Sequence, residues 1–263
     1  MTSQIIQKTL KGTLLKRKQL FIAIDHGLSF PILEGLEKPF DILKVISDHP
    51  EIDGLIASLG VFRQAKKLGI DLADKTRLVL VDYVALKEKD GVSYLDQREM
   101  IVKPEETEIV APHCFKMFLN LYEDDKQLYR NCRDVERFTV YGANHGVNTL
   151  AEIMFYGNKA FADPATREAE LMRGCRIAME LGADALKIPY IPNSNIVEEI
   201  SNSLKLPIYM LGGQKNEDRE AFKSQLREMS KQKIDGFMFG RNVWQSDDME
   251  KTIEEILNII AEE

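Results

Sequence analysis

The sequence predicts an α/β fold, a (β/α)8 or TIM barrel. The chain has 263 residues, close to the roughly 250 that such a barrel usually needs. Eight short apolar runs alternate with longer amphipathic stretches, a pattern that favours parallel strands joined by helices. No GxGxxG sequence follows the first run, so an open doubly wound sheet is the less favoured alternative.

The predicted strands are spread along the whole chain. They are LFIAID at 20–25, GLIASLG at 54–60, RLVLVDYV at 77–84, CFKMFLNL at 114–121, TLAEIMFY at 149–156, ADALKIP at 183–189, PIYMLGG at 207–213 and GFMFGRN at 236–242. The clearest helices between and after them cover 167–182, which ends at a glycine, and 246–263, which opens on a cap-like pair, Asp247 and Glu250. Since no linker or close sequence repeat divides the chain, we predict one domain over 1–263, with a helical extension over 1–19.

Composition restricts the class of function. Apolar residues make up 44% and charged residues 29% of the chain, and the net charge of -7 argues against a nucleic-acid or anionic-membrane surface. The three cysteines, Cys114, Cys132 and Cys175, share no CxxC spacing, which argues against a zinc cluster or a disulfide framework. The apolar run near the N-terminus, 20–24, is too short for a signal sequence or a membrane span. We therefore predict a cytoplasmic protein.

Polar residues near the ends of the predicted strands mark the candidate site, because barrels carry their chemistry at the C-terminal ends of the strands. They are Asp25, Asp82, Lys116, Glu152, Tyr156 and Lys187. Side chains alternate along a strand, so Ala183, Ala185 and Lys187 are predicted to face the lumen, and Leu186 and Ile188 the helices.

The same alternation directs Lys116, Glu152 and Tyr156 into the lumen, so two lysines, a carboxylate and a phenol should share one cavity. An amine in an apolar pocket beside a second cation has a lowered pKa, and a neutral amine can form a Schiff base with a carbonyl. The alternative is a structural Lys187 that is paired with Glu152 or Asp25.

Glycines follow the seventh and eighth predicted strands, where barrels frequently bind phosphate. Gly212 and Gly213 lie in LGGQK, and Gly240 and Arg241 lie in FGRN. Glycine gives close access to backbone N–H groups, and arginine adds a fixed charge. We predict that these four residues bind a phosphate group.

The sequence IDHG at 24–27 also suggests a metal site through Asp25 and His26. However, the four histidines show neither HxH nor HExxH spacing. We therefore predict no metal and no other cofactor, with a zinc site assembled from distant strands as the alternative.

The segments AIDHG, GADALKIPY, GGQK and GFMFGRNVWQ together resemble the class I aldolases of the DeoC/LacD/FbaB group, over about residues 20–246. This group includes archaeal-type fructose-bisphosphate aldolases, tagatose-bisphosphate aldolases and aminodideoxyheptulosonate synthases. The resemblance implies that Lys187 is the Schiff-base lysine and that Asp25 is the acid of the first-strand motif. It also implies a homo-oligomer.

One segment departs from the archaeal-type pattern, which carries YPRG after the fifth strand with its tyrosine as proton donor. Here the segment reads AEIMFYGNK, which is similar to the tagatose-bisphosphate type. That similarity implies Glu152 as the acid–base residue and Lys116 as its cationic neighbour, and leaves the role of Tyr156 open.

The function predicted from the sequence is a Schiff-base, metal-independent aldolase that acts on a phosphorylated ketose such as fructose- or tagatose-bisphosphate. One alternative is a transaldolase-like synthase that uses the same lysine. The other is a non-catalytic barrel that binds sugar phosphates.

Overall fold

The computed structural model describes residues 17–89, 92–121, 125–155 and 163–262. Its strands are β1 Gln19–Ala23, β2 Gly54–Ser58, β3 Thr76–Leu80, β4 Asp82–Lys89, β5 Val92–Met100, β6 Cys114–Asn120, β7 Asn148–Met154, β8 Ala185–Ile188, β9 Ile208–Leu211 and β10 Gly236–Phe239. Eight of them form a closed barrel in the order β1-β10-β9-β8-β7-β6-β3-β2. Parallel pairing of β1 with both β10 and β2 closes it. The predicted fold class is confirmed.

Helices follow the barrel strands at most positions. They are α1 Pro39–Asp48, α2 Leu59–Lys67, α3 Asp125–His145, α4 Pro164–Glu180, α5 Ile196–Leu204, α6 Arg219–Ser230, α7 Arg241–Trp244 and α8 Met249–Ala261. Side chains cap the N-termini of several helices. At the start of α8, the side chain of Asp248, one residue beyond the predicted Asp247, accepts a hydrogen bond from the Lys251 N–H at 3.0 Å. Among the described residues, every helix is too short or too polar to cross a lipid bilayer.

The connection between the third and fourth barrel strands differs from the prediction. The predicted strand 77–84 is interrupted: β3 ends at Leu80, and Asp82 begins an antiparallel hairpin of β4 and β5. Asp82 is buried and accepts hydrogen bonds from Arg98 Nε at 2.9 Å and from the Phe118 N–H at 2.8 Å. It therefore anchors the hairpin to the barrel and does not line the central cavity.

Alternation along the strands separates the lumen from the outer core. The lumen is filled by Phe21, Ala23, Ile56, Leu78, Cys114, Leu150, Ala185, Tyr209 and Met238. As predicted, Leu186 and Ile188 pack on the helix side. Ala183 is a correction: it precedes β8 and packs with the outer core instead of the lumen.

Four side chains clamp the barrel where its strands begin. Each lies directly before a barrel strand and accepts a hydrogen bond from a backbone N–H of the preceding barrel strand. The pairs are Asp53 with Leu20 at 2.8 Å, His113 with Arg77 at 3.0 Å, Asp184 with Thr149 at 2.8 Å and Asp235 with Ile208 at 2.9 Å.

In return, the backbone N–H of each clamping residue donates to the carbonyl of the same partner. We call these residues the rim clamps. They precede β2, β6, β8 and β10, which are the second, fourth, sixth and eighth strands of the barrel in chain order. They therefore hold together the rim opposite the C-terminal ends of the strands.

The prediction of a single domain over 1–263 is not tested by this architecture. Most of the predicted helical extension, 1–16, lies outside the described residues, and Gln19 belongs to β1.

His113→Asn should make the protein less sensitive to acid. Burial, together with Arg77, lowers the pKa of His113 from its usual 6.5 to about 4. The unfolded chain therefore binds more protons between these values, and the free energy of unfolding falls as the pH falls through this window. An asparagine keeps an acceptor and does not titrate, so the loss between pH 7 and pH 5 should shrink by about 1–2 kcal/mol. Urea unfolding at both pH values measures this, and an equal loss in both proteins would contradict it.

Candidate active site

A cavity of about 240 Å³ opens at the C-terminal ends of the barrel strands. Except for Asp82, every predicted site residue within the described ranges lines it: Asp25, Lys116, Glu152, Lys187, Gly212, Gly213, Gly240 and Arg241. Tyr156 lies outside the described residues. The lumen-facing directions predicted for the charged residues are thus confirmed, while their chemical roles stay predictions.

The centre of the cavity is a carboxylate shared by two lysines. Glu152 Oε2 lies 2.9 Å from Lys187 Nζ and 2.6 Å from Lys116 Nζ. The pairing of β7 with β8 sets Glu152 beside Lys187 in register. Lys116 Nζ also lies 3.2 Å from Asp25 Oδ2, so one ammonium group bridges two acids. All four side chains are almost fully buried.

Mutual attraction keeps Asp25, Glu152 and Lys116 ionised in spite of their burial. Burial by itself raises the pKa of Asp25, but Lys116, His26 and Lys187 together outweigh this effect and lower the pKa to about 2. For Glu152, burial is likewise outweighed by Lys116 and Lys187, and its pKa is lowered. Burial lowers the pKa of Lys116, but Glu152 and Asp25 raise it above its usual value. The cavity is therefore a network of charges, each with an opposite partner.

This pairing alone fits both a structural and a catalytic Lys187. The position of the pair favours catalysis, because both side chains face a cavity that a ligand can enter. An amine with a carboxylate at hydrogen-bond distance is suited to nucleophilic catalysis, since the carboxylate can accept and return protons.

Close packing explains two of the three candidate glycines, and a positive φ explains the third. A Cβ on Gly212 would lie 2.6 Å from the Phe239 ring, and a Cβ on Gly240 would lie 2.7 Å from His26 Cε1. Close packing therefore accounts for these two glycines without any ligand. Gly213 has a φ of +69°, and a Cβ there would meet nothing within 4 Å, so its backbone borders open space in the cavity.

His26, which the sequence suggests as a metal ligand, lies in the cavity wall. Its Nδ1 lies 3.6 Å from Asp25 Oδ1, and its ring meets Trp244 edge to face with centroids 5.4 Å apart. Burial lowers the pKa of His26 to about 4, against the pull of Asp25. The imidazole is therefore neutral at pH 7. Among the described residues, no group of three or more His, Cys, Asp or Glu side chains is arranged to hold a metal ion.

Other cavity residues escaped prediction altogether. Ser29 and Phe30 follow the first strand, and Gln214 follows Gly213. Trp244 contacts the His26 ring from outside the cavity, and it is buried and donates from Nε1 to the Ala23 carbonyl at 2.9 Å, so its indole packs in the core. Ser29 and Gln214 lie in the segments that follow barrel strands, and this position is the sign in the sequence that they belong to the site.

Lys116→Met should destabilise the fold strongly, because the buried carboxylates of Asp25 and Glu152 both lose the ammonium group that they share. Breaking one side of a buried ion pair costs about 3–5 kcal/mol. Adding Asp25→Asn removes one of the uncompensated charges and should restore part of this loss. Urea unfolding of the single and double variants measures both effects. A double variant no more stable than Lys116→Met would contradict the bridging role of Lys116.

Comparison with known proteins identifies the same kind of barrel. The family model described as "DeoC/LacD family aldolase" matches residues 111–246, just over half of the chain. An uncharacterised aldolase of Saccharolobus solfataricus is 24% identical over 255 residues, which cover 94% of this chain and 91% of the relative.

A 2-amino-3,7-dideoxy-D-threo-hept-6-ulosonate synthase of Archaeoglobus fulgidus is 24% identical over 231 residues, 88% of this chain and 81% of the relative. Among solved structures, a Schiff-base-forming fructose-1,6-bisphosphate aldolase superposes with a TM-score of 0.76 at 19% identity, covering 97% of this chain and 99% of that one.

Proposed function

Because the chain belongs to the DeoC/LacD aldolase family, we propose that it is a Schiff-base, metal-independent aldolase that cleaves or forms a carbon–carbon bond in a phosphorylated ketose. Fructose- and tagatose-bisphosphate are the candidate substrates. The observation that carries the proposal is the Glu152 carboxylate, held between Lys187 and Lys116 inside the cavity. A Schiff-base-forming aldolase with the same fold supports it.

In the first half of the reaction, Glu152 takes one proton from the Lys187 ammonium group, because its Oε2 lies 2.9 Å from Lys187 Nζ. The neutral amine attacks the ketone carbon, and Glu152 gives that proton to the oxygen, which becomes a carbinolamine hydroxyl. Glu152 then takes a second proton from the nitrogen of the adduct and passes it to the departing hydroxyl, which leaves as water while the protonated imine forms. Lys116, 2.6 Å from the same oxygen, stabilises the negative charge on Glu152 between these transfers.

In the second half, the protonated imine accepts the electron pair of the breaking bond between C3 and C4. Asp25 or Glu152 takes the proton of the C4 hydroxyl, so that fragment leaves as an aldehyde. The remaining enamine is protonated at carbon, and water releases the ketone and regenerates Lys187. Tyr156, whose role the resemblance leaves open, stays a second candidate for proton transfer.

The phosphate group of the substrate is proposed to bind at the glycine loops. Gly213 and Arg241 are the main candidates, since Gly213 borders open space and Arg241 supplies a positive charge that lines the cavity. Gly212 and Gly240 would contribute mainly by allowing this wall to pack closely. A cytoplasmic location and a homo-oligomeric state remain predictions from composition and resemblance.

Borohydride trapping tests the Schiff base directly. Wild-type protein incubated with dihydroxyacetone phosphate and then reduced should carry the adduct on Lys187, identified by mass spectrometry of the digest. Lys187→Met should carry none. Lys75→Met is the matched control, because Lys75 is also buried but donates to the His49 and Ile52 carbonyls, outside the cavity. Failure of trapping in wild type, with activity that EDTA abolishes, would overturn the proposal.

Glu152→Gln separates the proton-transfer role from the shape of the site. The amide keeps the size of the side chain but cannot accept the amine proton, so adduct formation on Lys187 should slow by about 100- to 10,000-fold. Asp235→Asn is the matched control, since this rim clamp keeps an acceptor oxygen at the opposite end of the barrel. Time-resolved trapping measures the rate. An unchanged rate in Glu152→Gln would exclude Glu152 as the acid–base group.

A transaldolase-like synthase is the second candidate, favoured by the relative that is named as a synthase. It would form the same Lys187 adduct but pass the enamine to another aldehyde, so a product assay with and without an added acceptor distinguishes the two. A non-catalytic barrel would bind sugar phosphates without any adduct.

A further inference from the structure

We propose that Asn242 is a positioning residue that shapes the loop after β9 for the phosphate group of the substrate. Asn242 lies in α7, immediately after Arg241, and is 8% exposed. The inference rests on the proposed function, because it concerns the phosphate end of the same cavity.

Within the part of the chain that the structure describes, the Asn242 side chain makes its hydrogen bonds to one short loop, residues 212–216. Nδ2 donates to the Gly212 carbonyl at 2.9 Å and to the Gln214 carbonyl at 3.0 Å. Oδ1 accepts from the Asn216 N–H at 2.9 Å. One amide thus fixes three points of the loop after β9 to the segment after β10, and the two glycine loops become one unit.

These contacts decide which groups the loop presents to a ligand. Carbonyl oxygens repel an anion, whereas backbone N–H groups attract one. Asn242 engages the carbonyls on both sides of Gly213, whose φ of +69° borders the open part of the cavity. With those two oxygens held by an amide donor, the loop turns fewer acceptors towards the proposed phosphate position.

A structural asparagine elsewhere in the barrel provides a matched control. Asn131 is 2% exposed, accepts from the Asn120 N–H at 2.7 Å and donates to the Phe118 carbonyl at 2.9 Å. It makes the same kinds of bond as Asn242, but to the end of β6. Asn242→Ser and Asn131→Ser each leave a neutral side chain that is too short to make all of the original contacts.

The experiment compares two ketones that differ only in phosphate. For each protein, borohydride trapping gives the half-saturating concentration of dihydroxyacetone phosphate and of dihydroxyacetone. Asn242→Ser should raise the half-saturating concentration of dihydroxyacetone phosphate by about tenfold, which is the usual effect of losing buried hydrogen bonds. It should change that of dihydroxyacetone by less than about twofold. Asn131→Ser should leave the ratio of the two concentrations as in wild type. Asn242→Ala, checked for folding by circular dichroism, should act in the same direction.

Two results would overturn the inference alone. One is an unchanged ratio in folded Asn242 variants of a wild type that prefers the phosphorylated ketone. The other is loss of folding in both Asn242 variants but not in Asn131→Ser, because Asn242 would then be required by the barrel as a whole. A wild type that forms no adduct, or that does not distinguish the two ketones, overturns the proposed function and this inference with it.

Discussion

The ion network around Glu152 is the interaction on which the rest of the cavity depends. Ions removed from water are stable only when opposite charges and hydrogen bonds replace the lost hydration. Three adjacent strands, β6, β7 and β8, each contribute one charged side chain, and the segment after β1 contributes Asp25. If any member is neutralised, the others lose a partner. The same constraint that stabilises the network also holds the amine and the carboxylate at a fixed distance.

The barrel and the direction of its charged residues could be predicted because both follow from local patterns. Apolar runs mark the strands, and alternation within a run decides which side chains enter the lumen. This pattern predicts the positions of Lys116, Glu152 and Lys187, since each interrupts an apolar run, and all three line the cavity. What a local pattern does not give is the distance between side chains, which comes from the register of strands far apart in sequence.

The predictions that needed correction or were missing involve remote partners. The sequence predicts that Asp82 belongs to the third barrel strand, but it begins β4, and its partner Arg98 lies on β5, the other strand of the hairpin. Gly240 reads as a ligand-binding glycine, yet the His26 ring occupies the space that a side chain would need. Asn242 lies in the segment GFMFGRNVWQ, but its three hydrogen bonds to the loop after β9 do not follow from that pattern. The Asp82 contact depends on the pairing of β4 with β5, and the other two depend on the pairing of β10 with β1 and β9 in the barrel.

The rim clamps have a consequence for how this chain can change over time. They close the barrel at the end where the strands begin, with side chains that take no part in the cavity. The loops that line the cavity lie at the other end, so substitutions there leave the clamps intact. Selection for a new substrate and selection for a closed barrel thus act on separate sets of residues. A lineage can exchange its loops at one end and still inherit the same scaffold from the other.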